Sequence, residues 1–274
     1  MPELPEVETI ARYLNDGDVM NVPITKVHVF WARTVHGEDV DAFQRALILR
    51  KIERVARRAK WLILEIDNAQ SVLVHLRMTG NFRVTDGEAP EPHDRIVIDF
   101  ENGKRLHYRD TRKFGRWKLV DCQVEAFAKL GPEPLGSSFT GKWLFEHLQK
   151  HRRMLKPLLL DQSFLAGLGN IYVDEALFDS GVHPQRISNE VTRDEAAVLC
   201  RSIRKVLRNS IKNQGTSLGD GLNNYGFSEG KRGRNQLHLK VYQRAGQPCV
   251  NCGQPIEKIT VTQRSTHFCS NCQQ

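Results

Sequence analysis

The chain has 274 residues, 40% of them apolar, enough to bury the cores of about two domains of ordinary size. Forty Lys and Arg against 32 Asp and Glu give a net charge of +8, which favours a polyanionic partner, nucleic acid before membrane. No apolar run approaches the roughly 18–20 residues of a membrane span, and the first residues lack a charged region followed by an apolar one, so the sequence predicts a cytoplasmic protein with no membrane partner.

The first predicted element is a helix. Leu4, Val7, Ala11 and Leu14 repeat at helical spacing, and Pro2 and Pro5 cost nothing where the first N–H groups lack internal partners. Inside a chain, Pro-Glu-x-Pro-Glu is an ordinary well-capped surface helix. At the second position it has a further meaning, because removal of Met1 would leave Pro2 as a secondary amine. A terminal amine has a pKa of about 7.7–8.0, so a useful fraction is an unprotonated nucleophile near neutrality. Attack of such an amine on a sugar anomeric carbon gives an iminium that carries its charge without a proton, and elimination follows easily. Glu3 can then supply a proton as general acid, and Glu6, three residues on and on the same helical face, can orient or share it.

From about Ile24 to Val120 the runs are short and β-rich: residues 26–30, 61–66, 72–76 and 95–100, with turn pairs such as Asp86-Gly87 and Asn102-Gly103 between some of them. This predicts a two-layer antiparallel sandwich or barrel with the first helix packed on it. Gly131 to Ser138 punctuate the chain, and helical patterns follow. Asn170 stands at the N-cap position of a helix that Gly181 and Pro184 terminate, and Thr192 and Glu195 form a capping box for a long one. Gly215 to Gln236 read as a glycine-rich polar loop. Cys249-x2-Cys252 and Cys269-x2-Cys272, sixteen residues apart, have zinc-ribbon spacing; two disulfides are the less favoured alternative in a cytosolic setting. Cys122 and Cys200 read as buried small hydrophobes. The expected fold is α+β in three parts: a sandwich domain over 1–130, a helical domain over 131–223, and a loop with a four-cysteine zinc ribbon over 224–274.

Four motifs occur in an order that resembles the bacterial formamidopyrimidine-DNA glycosylases. They are Pro2-Glu3-Leu4-Pro5-Glu6-Val7-Glu8, Arg57-Arg58-Ala59-Lys60, Gly167-Leu168-Gly169-Asn170-Ile171-Tyr172 and the four cysteines. The related endonuclease VIII branch begins Pro-Glu-Gly-Pro-Glu, so Leu4 favours the formamidopyrimidine branch. The resemblance implies a helix-two-turn-helix DNA-binding domain and a base-excision enzyme that removes oxidised purines, formamidopyrimidines and 8-oxoguanine, and cuts the abasic site by β- and δ-elimination. It implies catalytic positions at Pro2, Glu3, Lys60 and Arg264, with Glu6 in a secondary role. It implies DNA contacts by His75, Lys156 and Asn170, and filling of the vacated base stack by Met78, Arg112 and Phe114. Without it, Lys60 would read as a snorkelling surface residue and His75 as a core histidine.

The implied partner is duplex DNA carrying oxidised bases or abasic sites, bound by a monomer, and the implied cofactor is one structural zinc on Cys249, Cys252, Cys269 and Cys272. In the loop over the lesion the family commonly has aromatics where Gly221 and Asn235 stand, and Gln243 replaces a usual glycine; Tyr225 and Phe227 can compensate. Two rivals remain: a non-catalytic damage binder on the same fold, and an endonuclease VIII-like preference for oxidised pyrimidines.

Overall fold

A computed structural model describes residues 1–218 and 232–274, and Gly221, Tyr225 and Phe227 lie outside them. The chain divides into two compact units: residues 1–128 with 213–236, and residues 129–212 with 237–274.

The first unit begins with helix α1 (Leu4–Asn15), whose Val7, Ile10, Ala11 and Leu14 are buried. Eight strands follow: β1 (Ile24–Val29), β2 (Ile52–Arg58), β3 (Trp61–Ile66), β4 (Ser71–His75), β5 (Asn81–Thr85), β6 (Asp94–Phe100), β7 (Arg105–Arg109) and β8 (Arg116–Val120). They make two antiparallel four-stranded sheets, β1-β6-β7-β5 and β2-β3-β4-β8. Alternate side chains face one shared core: Ile96, Ile98, Leu106 and Phe82 from one sheet meet Leu62, Leu64, Val72 and Val74 from the other. Trp117 sits at its centre, with the Phe82 and Tyr108 rings 5.7 and 5.2 Å away. The expected sandwich with a packed helix is therefore what forms. Helix α2 (Val40–Leu47) buries Phe43 and Leu47, and α3 (Gln123–Phe127) closes the segment.

The second unit holds α4 (Gly141–Leu148), α5 (Leu155–Leu160), α6 (Asn170–Ser180) and α7 (Arg193–Lys212). Thr192 and Glu195 exchange the two capping bonds expected before α7, at 2.7 and 3.3 Å. Gly169, not Asn170, is the N-cap of α6, so Asn170 is already the first helical residue. A hairpin of β9 (Glu257–Val261) and β10 (Arg264–Phe268) ends the unit. Its two-residue turn, Thr262 and Gln263, has φ of +43° and +62°, the sign a tight antiparallel hairpin requires at both places. Cys200 is buried as expected, but Cys122 is exposed, because its neighbours in α3 bury no side chain.

Candidate functional site

Pro2 and Glu3 are buried at the start of α1. Glu3 is the N-cap, and its backbone N–H donates to Glu6 Oε2 at 2.9 Å. Glu6 Oε1 accepts a second bond, from the Thr216 N–H at 2.8 Å. A carboxylate held by two backbone donors has a fixed orientation. Through it the first turn of α1 is tied to the segment after Lys212. That segment is itself clamped: Asn235 Nδ2 donates to Thr216 Oγ1 at 2.9 Å, the Gly233 N–H to Ser217 Oγ at 2.9 Å, and the Ser217 N–H to Gln236 Oε1 at 3.1 Å. Asn235 is thus a buried strut of this stem.

Lys60 occupies the second place of the two-residue turn between β2 and β3, after Ala59 at φ +53°, and is 6% exposed. The surface reading of this lysine fails, since the tight turn carries it inward. His75 pairs across the sheet with Trp61 on one side and Arg116 on the other. Its Nδ1 accepts the Arg77 N–H at 3.0 Å, which assigns the ring proton to Nε2. Burial pushes its pKa down to about 3, and the positive charges of Arg77, Lys60 and Arg116 add to the effect. His75 is therefore a neutral donor in a cationic corner.

Met78 and Phe114 are 40% and 50% exposed. They stand on two loops that Asp110 joins. One Asp110 oxygen accepts from the Thr79 hydroxyl and the other from the Gly115 N–H at 2.7 Å. Both loops also press on the Tyr108 hydroxyl: a Cβ at Gly80 or Gly115 would lie 2.6 or 1.7 Å from it, so only glycine fits. Arg112 extends over the Phe114 ring with its guanidinium 4.9 Å from the centroid. Asp110, Thr79 and the two glycines escaped the sequence reading. The only signal for Asp110 and Gly115 is Asp-Thr-Arg-Lys-Phe-Gly, an aspartate shortly ahead of a turn glycine, and for Thr79 and Gly80 the turn Arg-Met-Thr-Gly; each alone is commonplace.

In the second unit the four cysteine sulfurs lie within 4.8 Å of one another, with Cys249 to Cys272 at 3.9 Å and Cys252 to Cys269 at 3.5 Å. A tetrahedron of thiolates at the usual zinc distance has edges of about 3.8 Å, so the four fit one structural zinc with no position left for substrate. His267 is not in this cluster; its N–H donates to Asp174 Oδ2 at 2.9 Å. The Lys156 ammonium is wholly enclosed, 2.6 Å from Asp174 Oδ1 and 2.8 Å from the Ser265 carbonyl. The DNA contact expected of Lys156 is thus not one its amine makes here: it is spent on docking β10 to α5 and α6. Asn170 Nδ2 donates to the same carbonyl at 3.0 Å. Arg264 is exposed, directly after the strained hairpin turn. Gln243 takes φ +59°.

Three family models cover the chain: the formamidopyrimidine-DNA glycosylase N-terminal domain over residues 1–117, the H2TH domain of the same enzymes over 130–220, and a zinc finger found in FPG and IleRS over 246–274. The formamidopyrimidine-DNA glycosylase of Herpetosiphon aurantiacus is 45% identical over 276 residues, all of both chains, and that of Protochlamydia amoebophila is 44% identical over 100% of this chain and 99% of its own. Among solved structures, Lactococcus lactis Fpg bound to DNA containing N7-benzyl-Fapy-dG aligns over the whole of both chains with a TM-score of 0.91 at 38% identity. The complex of that enzyme with abasic-site DNA gives 0.91 at 36%. The chain belongs to the formamidopyrimidine-DNA glycosylase family.

Proposed function

We propose that this protein excises oxidised purines from duplex DNA and then cuts the strand at the abasic site, with the Pro2 amine as nucleophile once Met1 is removed. The amine attacks C1′ of the damaged nucleotide, and the bond from C1′ to the base nitrogen breaks as the base leaves with a proton. Glu3 protonates the ring oxygen, the sugar opens, and an iminium forms between Pro2 and C1′. Loss of a C2′ proton then expels the 3′ phosphate, and a second elimination expels the 5′ phosphate. The observation that carries this reading is the double anchoring of Glu6, which fixes the backbone from which both Pro2 and the Glu3 carboxyl act.

Lys60 and the neutral His75 serve the phosphates flanking the extruded nucleotide. Met78, Arg112 and Phe114 enter the vacated stack, and Asn170 and Arg264 hold the backbone from the helical and zinc-bearing parts. A structural zinc orders the hairpin that presents Arg264; four thiolates supply folding, not chemistry. The working form is a cytoplasmic monomer on DNA, organised as a catalytic part over 1–130, a helix-two-turn-helix part over 131–223, and a loop with a zinc ribbon over 224–274. A panel of duplexes with single lesions tests the assignment: formamidopyrimidine and 8-oxoguanine should be released and Glu3→Gln should lose most of that release. Preferential release of oxidised pyrimidines would favour an endonuclease VIII-like enzyme, and binding without cleavage a damage binder.

A further inference from the structure

We infer that Trp31 is a positioning residue for the loop that carries Arg112 and Phe114, acting through Lys113. The inference rests on the reading of Phe114 as the wedge of base extrusion. Lys113 lies between the two stack-filling residues and has φ +60°. The left-handed region crowds the Cβ of a non-glycine residue against the backbone, and lysine has no short polar side chain to offset that locally. What offsets it is Trp31: the Lys113 ammonium sits 4.0 Å from the centroid of the indole ring, and the Arg33 guanidinium is 5.8 Å from the same ring.

Trp31 is in turn fixed by its backbone. The Phe30 N–H donates to the Arg95 carbonyl at 2.8 Å, the Thr34 N–H donates to the Trp31 carbonyl at 3.0 Å, and a 3-10 turn over Ala32–Thr34 leads into the bridge between Val35 and Trp117. The backbone that carries the indole is therefore attached to both sheets, and Lys113, itself exposed, places its ammonium closest to the ring. Asp110 fixes the ends of the loop; the ring-held lysine fixes its crown, so that Phe114 is presented outward before DNA arrives. Preorganisation of this kind lowers the cost of extrusion and leaves the later chemistry untouched.

Trp31→Leu should lower kcat/KM for a lesion in duplex DNA about two- to fivefold, the range an exposed cation over an aromatic ring provides. Cleavage of a preformed abasic site and the melting temperature should change little. Trp31→Tyr, which keeps a ring face, should stay within about twofold of wild type. Adding Lys113→Asn to Trp31→Leu should restore excision, because asparagine tolerates the left-handed conformation without the indole. Equal losses on both substrates, no loss at all, or failure of the asparagine to rescue would each overturn the inference. Phe114→Ala is measured alongside: if it fails to separate the two substrates, the wedge reading itself falls and takes this inference with it. If it separates them while Trp31→Leu does not, only the role of Trp31 is lost.

Discussion

Glu6 shows how a residue identified as an accessory acid becomes, in three dimensions, an anchor. Both of its oxygens are engaged by backbone N–H groups, one beside Pro2 and one at Thr216, so Glu6→Gln replaces one acceptor oxygen by an amide that cannot accept. Excision should fall about fivefold or more, since one buried N–H loses its partner at a cost of about 1–3 kcal/mol. An unchanged rate would mean that the anchor is dispensable. His75 carries a pH signature. Its folded pKa lies below the unfolded value of 6.5, at about 3, because burial and three nearby cations resist a further charge. Between those values the unfolded chain binds a proton that the folded chain does not. The contribution is therefore fully present above pH 6.5 and is lost as pH falls toward 3, with a slope of about 1.4 kcal/mol per pH unit. Denaturant titrations of His75→Gln should show a flatter acid limb than wild type; parallel limbs would remove His75 as the cause.

At the level of elements, the sandwich, α1 and the capped α7 were legible because each repeats a local signal, period two or period 3.6, over many residues. The four cysteines were legible because metal ligation fixes spacing. Lys156 was not: a Lys-Pro pair reads the same whether its amine meets a phosphate or a buried carboxylate on another helix, and only the fold shows Asp174 opposite it. The same limit hid Asp110, whose partners Thr79 and Gly115 come from two loops. Removing one member of a fully buried pair leaves an uncompensated charge, so Lys156→Ala should lower unfolding stability by about 3–5 kcal/mol. The salt slope of DNA binding should stay as in wild type. A stability loss under about 1 kcal/mol with a reduced salt slope would restore Lys156 to the phosphate backbone. For the zinc hairpin, Cys252→Ser should weaken zinc retention and duplex affinity together while the sandwich stays folded; full affinity in zinc-free protein would contradict the role given to Arg264.

For the whole molecule, the net charge of +8 suits a polyanionic substrate, and the central proposal is that the reaction begins at the Pro2 amine once Met1 is removed. An uncleaved Met1 turns the Pro2 nitrogen into an amide whose lone pair is delocalised and cannot attack, while the distant folded structure is unaffected. The decisive measurement is borohydride trapping on a duplex with a single formamidopyrimidine lesion, comparing protein whose mass shows Met1 removed with protein whose mass shows it retained. The first should cut the strand and form a covalent adduct; the second should bind the same duplex with similar affinity and do neither. A stable adduct and full cleavage from the Met1-retaining protein would contradict the mechanism and move the search for the nucleophile to an internal amine such as Lys60.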